Sequence, residues 1–356
     1  MLFRSESYLA WGKENGKKVA IISLCDSEDS LQITSNSFIR LISRNRLFIN
    51  RFFLSVMAIR SMMKLRIPIL ANGMFLEVLV AHFLSPFKGA YSCKIPGDIV
   101  WERARNSGFT QLNIDEFQEK SLPIKYRLLR NLFTLSLTKA NSVIVPSSHL
   151  KKLAKLWGVQ DGKLYLIFNS IDQNLYSGHP HADKEFDVIT VCRLVPWKGV
   201  DELVRSCAEL GLSLAVVGDG PERENLESLS KSLKANVFFY GDKSQTEIPN
   251  ILNKARAFVL NSSFEATSYA LIEARSMGLF SIARKNTGSD EVIHHGIDGI
   301  LCDDNELNLT NSLKLFEQDY DFVSQAIGKA QEDSRARFSQ DLNFMKIFDL
   351  VEKAVV

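Results

Sequence analysis

From residue 187 onward the chain alternates short apolar runs with helical stretches so regularly that few folds remain open to it. The runs 187–191, 212–217, 237–240 and 257–260 have strand length, and helical stretches at 200–210, 222–233 and 247–254 separate them. Such alternation predicts a parallel sheet covered on both faces. Chemistry concentrates in 255–278. Its strand runs into the polar turn Asn261-Ser262-Ser263 and then Phe264-Glu265-Ala266, after which Thr267 or Ser268 caps a helix over 269–277 that Gly278 ends. Glu265 therefore lies in a loop at the carboxyl end of a strand, with Glu273 inside the helix that follows. Ligands of open α/β sheets bind beyond such strand ends. The free N–H groups of Ser268, Tyr269 and Ala270, with the helix dipole, suit a phosphate there. Taken alone, two glutamates are more often solvated surface residues.

A chain of 356 residues is long enough for two domains with full cores. A net charge of +2 argues against nucleic acid as the principal partner. The five cysteines are scattered, odd in number and never spaced C-x-x-C, which suggests neither a disulfide framework nor a zinc site and fits reduced thiols in a cytosol. The first 18 residues contain no apolar signal core, and no uncharged run reaches the ~18 residues a spanning helix needs. The expectation is a cytoplasmic protein, or one attached to the inner membrane surface.

The amino-terminal half opens with a helix at 5–15 and a strand at 19–24. Residues 30–76 contain no Asp or Glu but carry Arg40, Arg44, Arg46, Arg51, Arg60, Lys64 and Arg66 among large apolar side chains. The stretch 37–66 reads either as a helical contact with an anionic membrane or as a core helix with a solvated basic edge. A strand at 90–95 ends in Pro96-Gly97-Asp98, just ahead of Trp101. The polar segment 177–184 is the natural linker, and a last helix is expected over 342–354.

Glu265 and Glu273 match the E-x7-E motif of the retaining GT-B glycosyltransferases, in particular the large family-4 group (glycosyl transferases group 1). The surrounding phrases resemble that family in order: Val191-Cys192-Arg193-Leu194-Val195-Pro196-Trp197-Lys198-Gly199, then Val217-Gly218-Asp219-Gly220-Pro221, then residues 288–292 and 296–299. The resemblance implies two Rossmann-like domains facing across a cleft: an acceptor side at 1–176, a nucleotide-sugar domain at 184–335, and a carboxyl-terminal helix at 336–356 crossing back to the first. One departure stands out. Family members open with a strand and a glycine-rich loop, and Met1 falls where that loop should be ending. The first domain is therefore expected to lack that strand and loop.

By the same resemblance, Arg193 and Lys198 face the donor diphosphate, Glu265 orients the donor sugar or stabilises its transition-state charge, and Glu273 holds the nucleotide ribose. Ser268, Tyr269 and Ala270 form the phosphate end of their helix, while Gly218 and Gly241 sit at turns along the nucleotide. The glycines equally suit plain strand-to-helix turns. On the acceptor side, Asp98 positions a hydroxyl and Trp101 stacks on a sugar, unless Asp98 is a helix cap and Trp101 core. The implied reaction moves a sugar from a nucleotide-sugar donor to a glycan, lipid-linked or other hydroxyl acceptor, without cofactor or metal. Asp319 and Asp321 form a D-x-D that falls among helices and reads as surface charge, and His294 and His295 read as ordinary helix-end residues. The alternatives are a crippled relative that binds nucleotide sugar without turnover, an epimerase, or a phosphorylase.

Overall fold

The computed structural model describes residues 2–17, 19–25, 28–33, 37–85, 89–178, 184–305 and 307–354. Its backbone divides into two compact units, one of residues 1–146, 150–167 and 341–356, the other of 147–149 and 168–340. The middle of the expected linker, 179–183, lies outside the described residues.

In chain order the elements begin with α1 (Leu2–Glu14), β1 (Val19–Cys25), β2 (Ser30–Ile33), β3 (Ser37–Ser43), α2 (Phe48–Lys64), β4 (Leu70–Asn72) and α3 (Phe75–Leu84). They continue with β5 (Ser92–Lys94), α4 (Ile99–Asn106), α5 (Ile114–Glu119), α6 (Ile124–Lys139), β6 (Ser142–Val145), α7 (Ser148–Leu156) and β7 (Leu164–Leu166). The first unit holds two sheets. In one, β1 and β3 are parallel, from Val19 opposite Ser37 to Cys25 opposite Ser43, and β2 closes the edge antiparallel to β3. The other is parallel throughout, in the order β4-β5-β6-β7. Val143, Ile144 and Val145 are fully buried, as a strand covered on both faces requires.

The basic stretch departs from expectation. Residues 37–43 form a strand, so only 48–64 of the stretch 37–66 is helical. The β-branched Ile39 and Ile42 suit a pleated strand. On α2, Val56, Ile59, Met62 and Met63 are buried, while Phe48, Ile49 and Phe53 stand 62%, 75% and 63% exposed. No helix among the described residues is long and apolar enough to cross a membrane.

The second unit runs β8 (Phe186–Val191), α8 (Val200–Leu210), β9 (Leu214–Val217), α9 (Arg223–Leu233), β10 (Val237–Gly241), α10 (Ile248–Leu252) and β11 (Ala255–Leu260). Then come α11 (Tyr269–Ser276), β12 (Phe280–Arg284), β13 (Ile300–Cys302), α12 (Leu309–Gln318) and α13 (Tyr320–Arg337). Its six strands are parallel in the order β10-β9-β8-β11-β12-β13. The helices follow from their patterns: on α8, Val200, Leu203, Val204 and Cys207 recur at helical spacing and are all buried. Residues 288–291 form a short 3-10 turn that Glu291 ends.

The last helix, α14 (Gln340–Lys353), has its residues from Asp341 onward in the first unit. There Tyr8 of α1 stacks on Phe344 with ring centroids 4.1 Å apart, and the Trp11 indole donates to Asp341 at 2.7 Å.

Candidate active site

In the sheet of the second unit the strand order reverses between β8 and β11, the first and fourth strands of the unit. The crevice outside the carboxyl ends at such a reversal is where open α/β sheets hold ligands. The loops after these two strands are the ones that carry Arg193, Lys198 and Glu265.

The loop after β8 is shaped by its own residues. Val195 is extended, Pro196 opens a 3-10 turn over Pro196–Lys198, and Gly199 turns left-handed (φ 58°) to start α8. A Cβ at Gly199 would lie 2.7 Å from the Asn261 carbonyl oxygen, so the loop after β11 approaches too closely for a side chain there. The two loops are bonded together. The Ser263 N–H donates to the Trp197 carbonyl at 2.9 Å, and the Asn261 amide donates to the Gly199 carbonyl at 3.0 Å and to Glu202 at 2.8 Å. Arg284, at the end of β12, donates to the Asn261 side-chain oxygen at 3.1 Å and to Glu202 at 3.3 Å.

Across this bonded pair of loops, the Lys198 ammonium meets the Glu265 carboxylate in a direct ion pair, with the side chains only 17% and 13% exposed. The Glu265 carbonyl accepts from the Gly288 N–H at 2.8 Å, which fixes the backbone that carries the carboxylate. Three residues on, Ser268 caps α11 by accepting from the Leu271 N–H, and Asn169 donates to the neighbouring Thr267 carbonyl at 2.8 Å. Glu273 is buried, which removes its reading as a surface residue. Tyr269 and Ala270 are half-buried in the first turn of α11.

Arg193 is exposed and has no ion-pair partner among the described residues. It borders a cavity of about 530 Å³ beyond the ends of β8, β9 and β10, together with Gly218, Asp219, Gly220 and Asp242. Gly218 has φ 123°, and a Cβ on it would lie 2.0 Å from the Cys192 carbonyl oxygen; only glycine fits. Its N–H donates to the Gly241 carbonyl at 2.9 Å, which joins the two expected glycines in one turn system. The Gly220 N–H and the Arg223 guanidinium hold the Asp219 carboxyl below the ordinary carboxylate range. Burial pushes the Cys192 thiol up to about 11, so it stays protonated and unreactive at neutral pH.

The two acceptor-side residues are placed differently. Asp98 is fully buried: it caps α4 by accepting from the Val100 and Trp101 N–H groups, and its other oxygen takes Arg130 at 2.7 Å and Gln118 at 3.1 Å. Trp101 is 1% exposed, with its indole N–H on the Leu112 carbonyl at 3.0 Å. Neither has a free face for a sugar, so the cap-and-core alternative describes them. Both follow a strand end closely, and the sequence carries no sign that Asp98 has its Arg130 partner 32 residues away.

His294, Asp298 and Asp333 cluster at metal-ligand distances. The buried Arg275 guanidinium lies between the two carboxylates, 3.0 Å from Asp298 and 3.4 Å from Asp333, and already supplies the positive charge. The braces Asn261, Arg284 and Asn169 were not singled out as site residues by the sequence. Their only signal is polarity at strand ends, which ordinary turns share.

Residues 173–333 match the family model described as "Glycosyl transferases group 1". The lipopolysaccharide core biosynthesis glycosyltransferase LpsD of Rhizobium meliloti is 31% identical over 174 residues, 48% of this chain and 50% of that protein. The chain thus spans about half the length of that relative. Among solved structures, sucrose-phosphate synthase from Thermosynechococcus elongatus superposes with TM-score 0.77 at 17% identity, over 98% of this chain and 91% of that one. Anabaena HepE in complex with UDP-glucose gives TM-score 0.71 at 18% identity, over 94% and 99%. These likenesses, at low identity, establish the fold as GT-B. Residues 173–333, within the second unit, are thus similar to the glycosyl transferases group 1 family, on a chain that shares the GT-B fold of these structures.

Proposed function

We propose that the protein transfers a sugar from a nucleotide-sugar donor to a hydroxyl acceptor with retention of anomeric configuration. The observation that carries this reading is the Lys198–Glu265 pair, held at the strand-order reversal three residues ahead of the α11 amino end. The acceptor oxygen bonds to the anomeric carbon as that carbon's bond to the diphosphate breaks. The acceptor proton passes to the leaving phosphate oxygen, giving a nucleoside diphosphate and the glycosylated acceptor.

The departing diphosphate gathers negative charge. Lys198, Arg193 and the N–H groups at the start of α11 supply positive potential for it without a metal ion. Glu265 faces the charge that develops on the sugar ring, and Glu273 accepts from the ribose hydroxyls. Gly218 and Gly241 let the backbone lie against the nucleotide. HepE was solved with UDP-glucose, which makes uridine diphosphate sugars the first donors to try.

The acceptor is a glycan or a lipid-linked hydroxyl, and the exposed apolar residues of α2 among basic ones suit a protein that works at the inner membrane surface. Thermal-shift screening with UDP, GDP, ADP and their sugars tests donor binding, and release of nucleoside diphosphate tests turnover. Tight binding with no turnover across a broad acceptor panel overturns the enzymatic reading in favour of a nucleotide-sugar binder.

A further inference from the structure

The hydrogen bonds that join the loops of Lys198 and Glu265 are not all of one kind. Lys198 stands between two pinned carbonyls: that of Trp197 accepts from the Ser263 N–H, and that of Gly199 from the Asn261 amide. Both donors lie in the loop after β11 that carries Glu265, so the backbone of the cation is fixed against the backbone of the carboxylate. The Ser263 pin is main chain, and any residue but proline supplies it. The Gly199 pin is a side-chain amide, which the sequence has to specify.

Asn261 is 4% exposed, and its amide is committed on both sides. Its nitrogen donates to Gly199 and to Glu202 in the first turn of α8, holding the start of that helix at two points. Its oxygen accepts from Arg284, whose guanidinium also meets Glu202 and Asp304. Arg284 thereby decides which way the amide faces. Turned over, the amide would set its oxygen against the Gly199 carbonyl and the Glu202 carboxylate, and its N–H groups against a guanidinium. Because Arg284 ends β12 and Asp304 follows β13, the hold on the Lys198 loop reaches across the sheet. A charge that stabilises a leaving group is effective only when held within a fraction of an ångström of its place.

We propose that Asn261, faced by Arg284, is a positioning residue: it acts through Lys198, holding the ammonium where it meets the departing diphosphate. The inference rests on the donor reading of Lys198 given above. Loss of Asn261 or of Arg284 therefore weakens the diphosphate grip only while Lys198 is present.

Two measurements on the full chain test this. The first needs no ligand: trace acetylation with acetic anhydride, with the extent at Lys198 read by mass spectrometry against Lys254 and Lys314 as standards. An enclosed, ion-paired amine labels slowly, so Asn261→Ala, Asn261→Asp and Arg284→Met should each label Lys198 about tenfold faster, with the standards unchanged. Asn261→Asp keeps the size and the acceptor for Arg284 but lacks the donors, so it separates hydrogen bonding from packing. Arg284 is partly exposed, and its variant decides the matter should those at Asn261 not fold. The second measurement is binding of inorganic pyrophosphate, which presumes no base or sugar. Each variant should bind it about tenfold more weakly than wild type, with no further weakening in a Lys198→Ala background. A merely structural defect would weaken binding equally in both backgrounds. Wild-type labelling of Lys198 in any folded variant, or equal weakening with and without Lys198, overturns the inference. Pyrophosphate binding that Lys198→Ala leaves unchanged overturns the donor reading of Lys198 instead, and the labelling still decides whether Asn261 positions it.

Discussion

At the scale of single residues, the site turns on two mutually dependent charges. Removing either Lys198 or Glu265 strands a mostly buried partner, so each single alanine variant is expected to lose about 1–3 kcal/mol of stability. The double variant Lys198→Ala/Glu265→Ala strands neither and is expected to regain most of that loss in urea melts. Its turnover should stay about 10²–10³-fold or more below wild type, because the charge on the leaving phosphate has lost its stabiliser. A double variant with restored turnover would remove both residues from the chemistry. Gly218 offers a second test. Gly218→Ala puts a side chain at φ 123° and against the Cys192 carbonyl, so it should cost more than about 1 kcal/mol and abolish the thermal shift produced by UDP-glucose. An unshifted melting curve with donor binding intact would show that the turn has room to spare.

At the scale of elements, α11 and α2 carry separate expectations. The Ser268 hydroxyl is the side-chain cap of α11, and Ser268→Ala should cost about 1 kcal/mol while weakening donor binding through the same helix end. On α2, Phe48, Ile49 and Phe53 are mostly exposed, and Arg51, Arg60 and Lys64 lie on the same helix. Each basic residue near an anionic bilayer contributes about 1 kcal/mol. The chain is expected to sediment with vesicles containing phosphatidylglycerol and not with pure phosphatidylcholine. Replacing Phe48, Ile49 and Phe53 by serine should abolish that sedimentation without lowering the melting temperature, since the three side chains cover little of the core. Equal sedimentation of the triple variant would assign the exposed apolar face some other role.

At the scale of the whole second unit, the Arg275 network ties α11, the segment before β13 and α13 together, with Arg275 and Asp298 almost wholly enclosed. Burial raises the Asp298 carboxyl, but Arg275 and His294 more than reverse this and leave it below its ordinary 3.8. The folded value being the lower one, the unfolded chain takes up the proton first as pH falls. The stabilisation is therefore complete above the ordinary value and is lost as pH drops through the folded one. Asp298→Ala should destabilise by about 3–5 kcal/mol at neutral pH, by leaving a buried guanidinium short of a partner. Asp298→Asn should flatten the acid limb of a stability-against-pH curve; an unchanged limb would show that other carboxylates control it.

The strand–helix alternation in the second half was legible because it is local: runs such as 257–260 carry their strand character in adjacent residues, and Ser268 carries its cap three residues before the N–H it takes. The same holds for the loop phrases around Arg193, Lys198 and Gly218, whose glycines answer to φ angles and close approaches in their own turns. The sequence also misled locally, reading 37–43 as helix because apolar and basic residues there fit either period. What lay beyond it were pairings between distant positions. Asp98 and Trp101 look available until Arg130, Gln118 and Leu112 close around them. The brace of Asn261 on Gly199 and the pairing of Lys198 with Glu265 exist only once strands far apart in the chain lie side by side. Local preference selects the elements and their caps; the order in which strands pair decides which of their ends share a site.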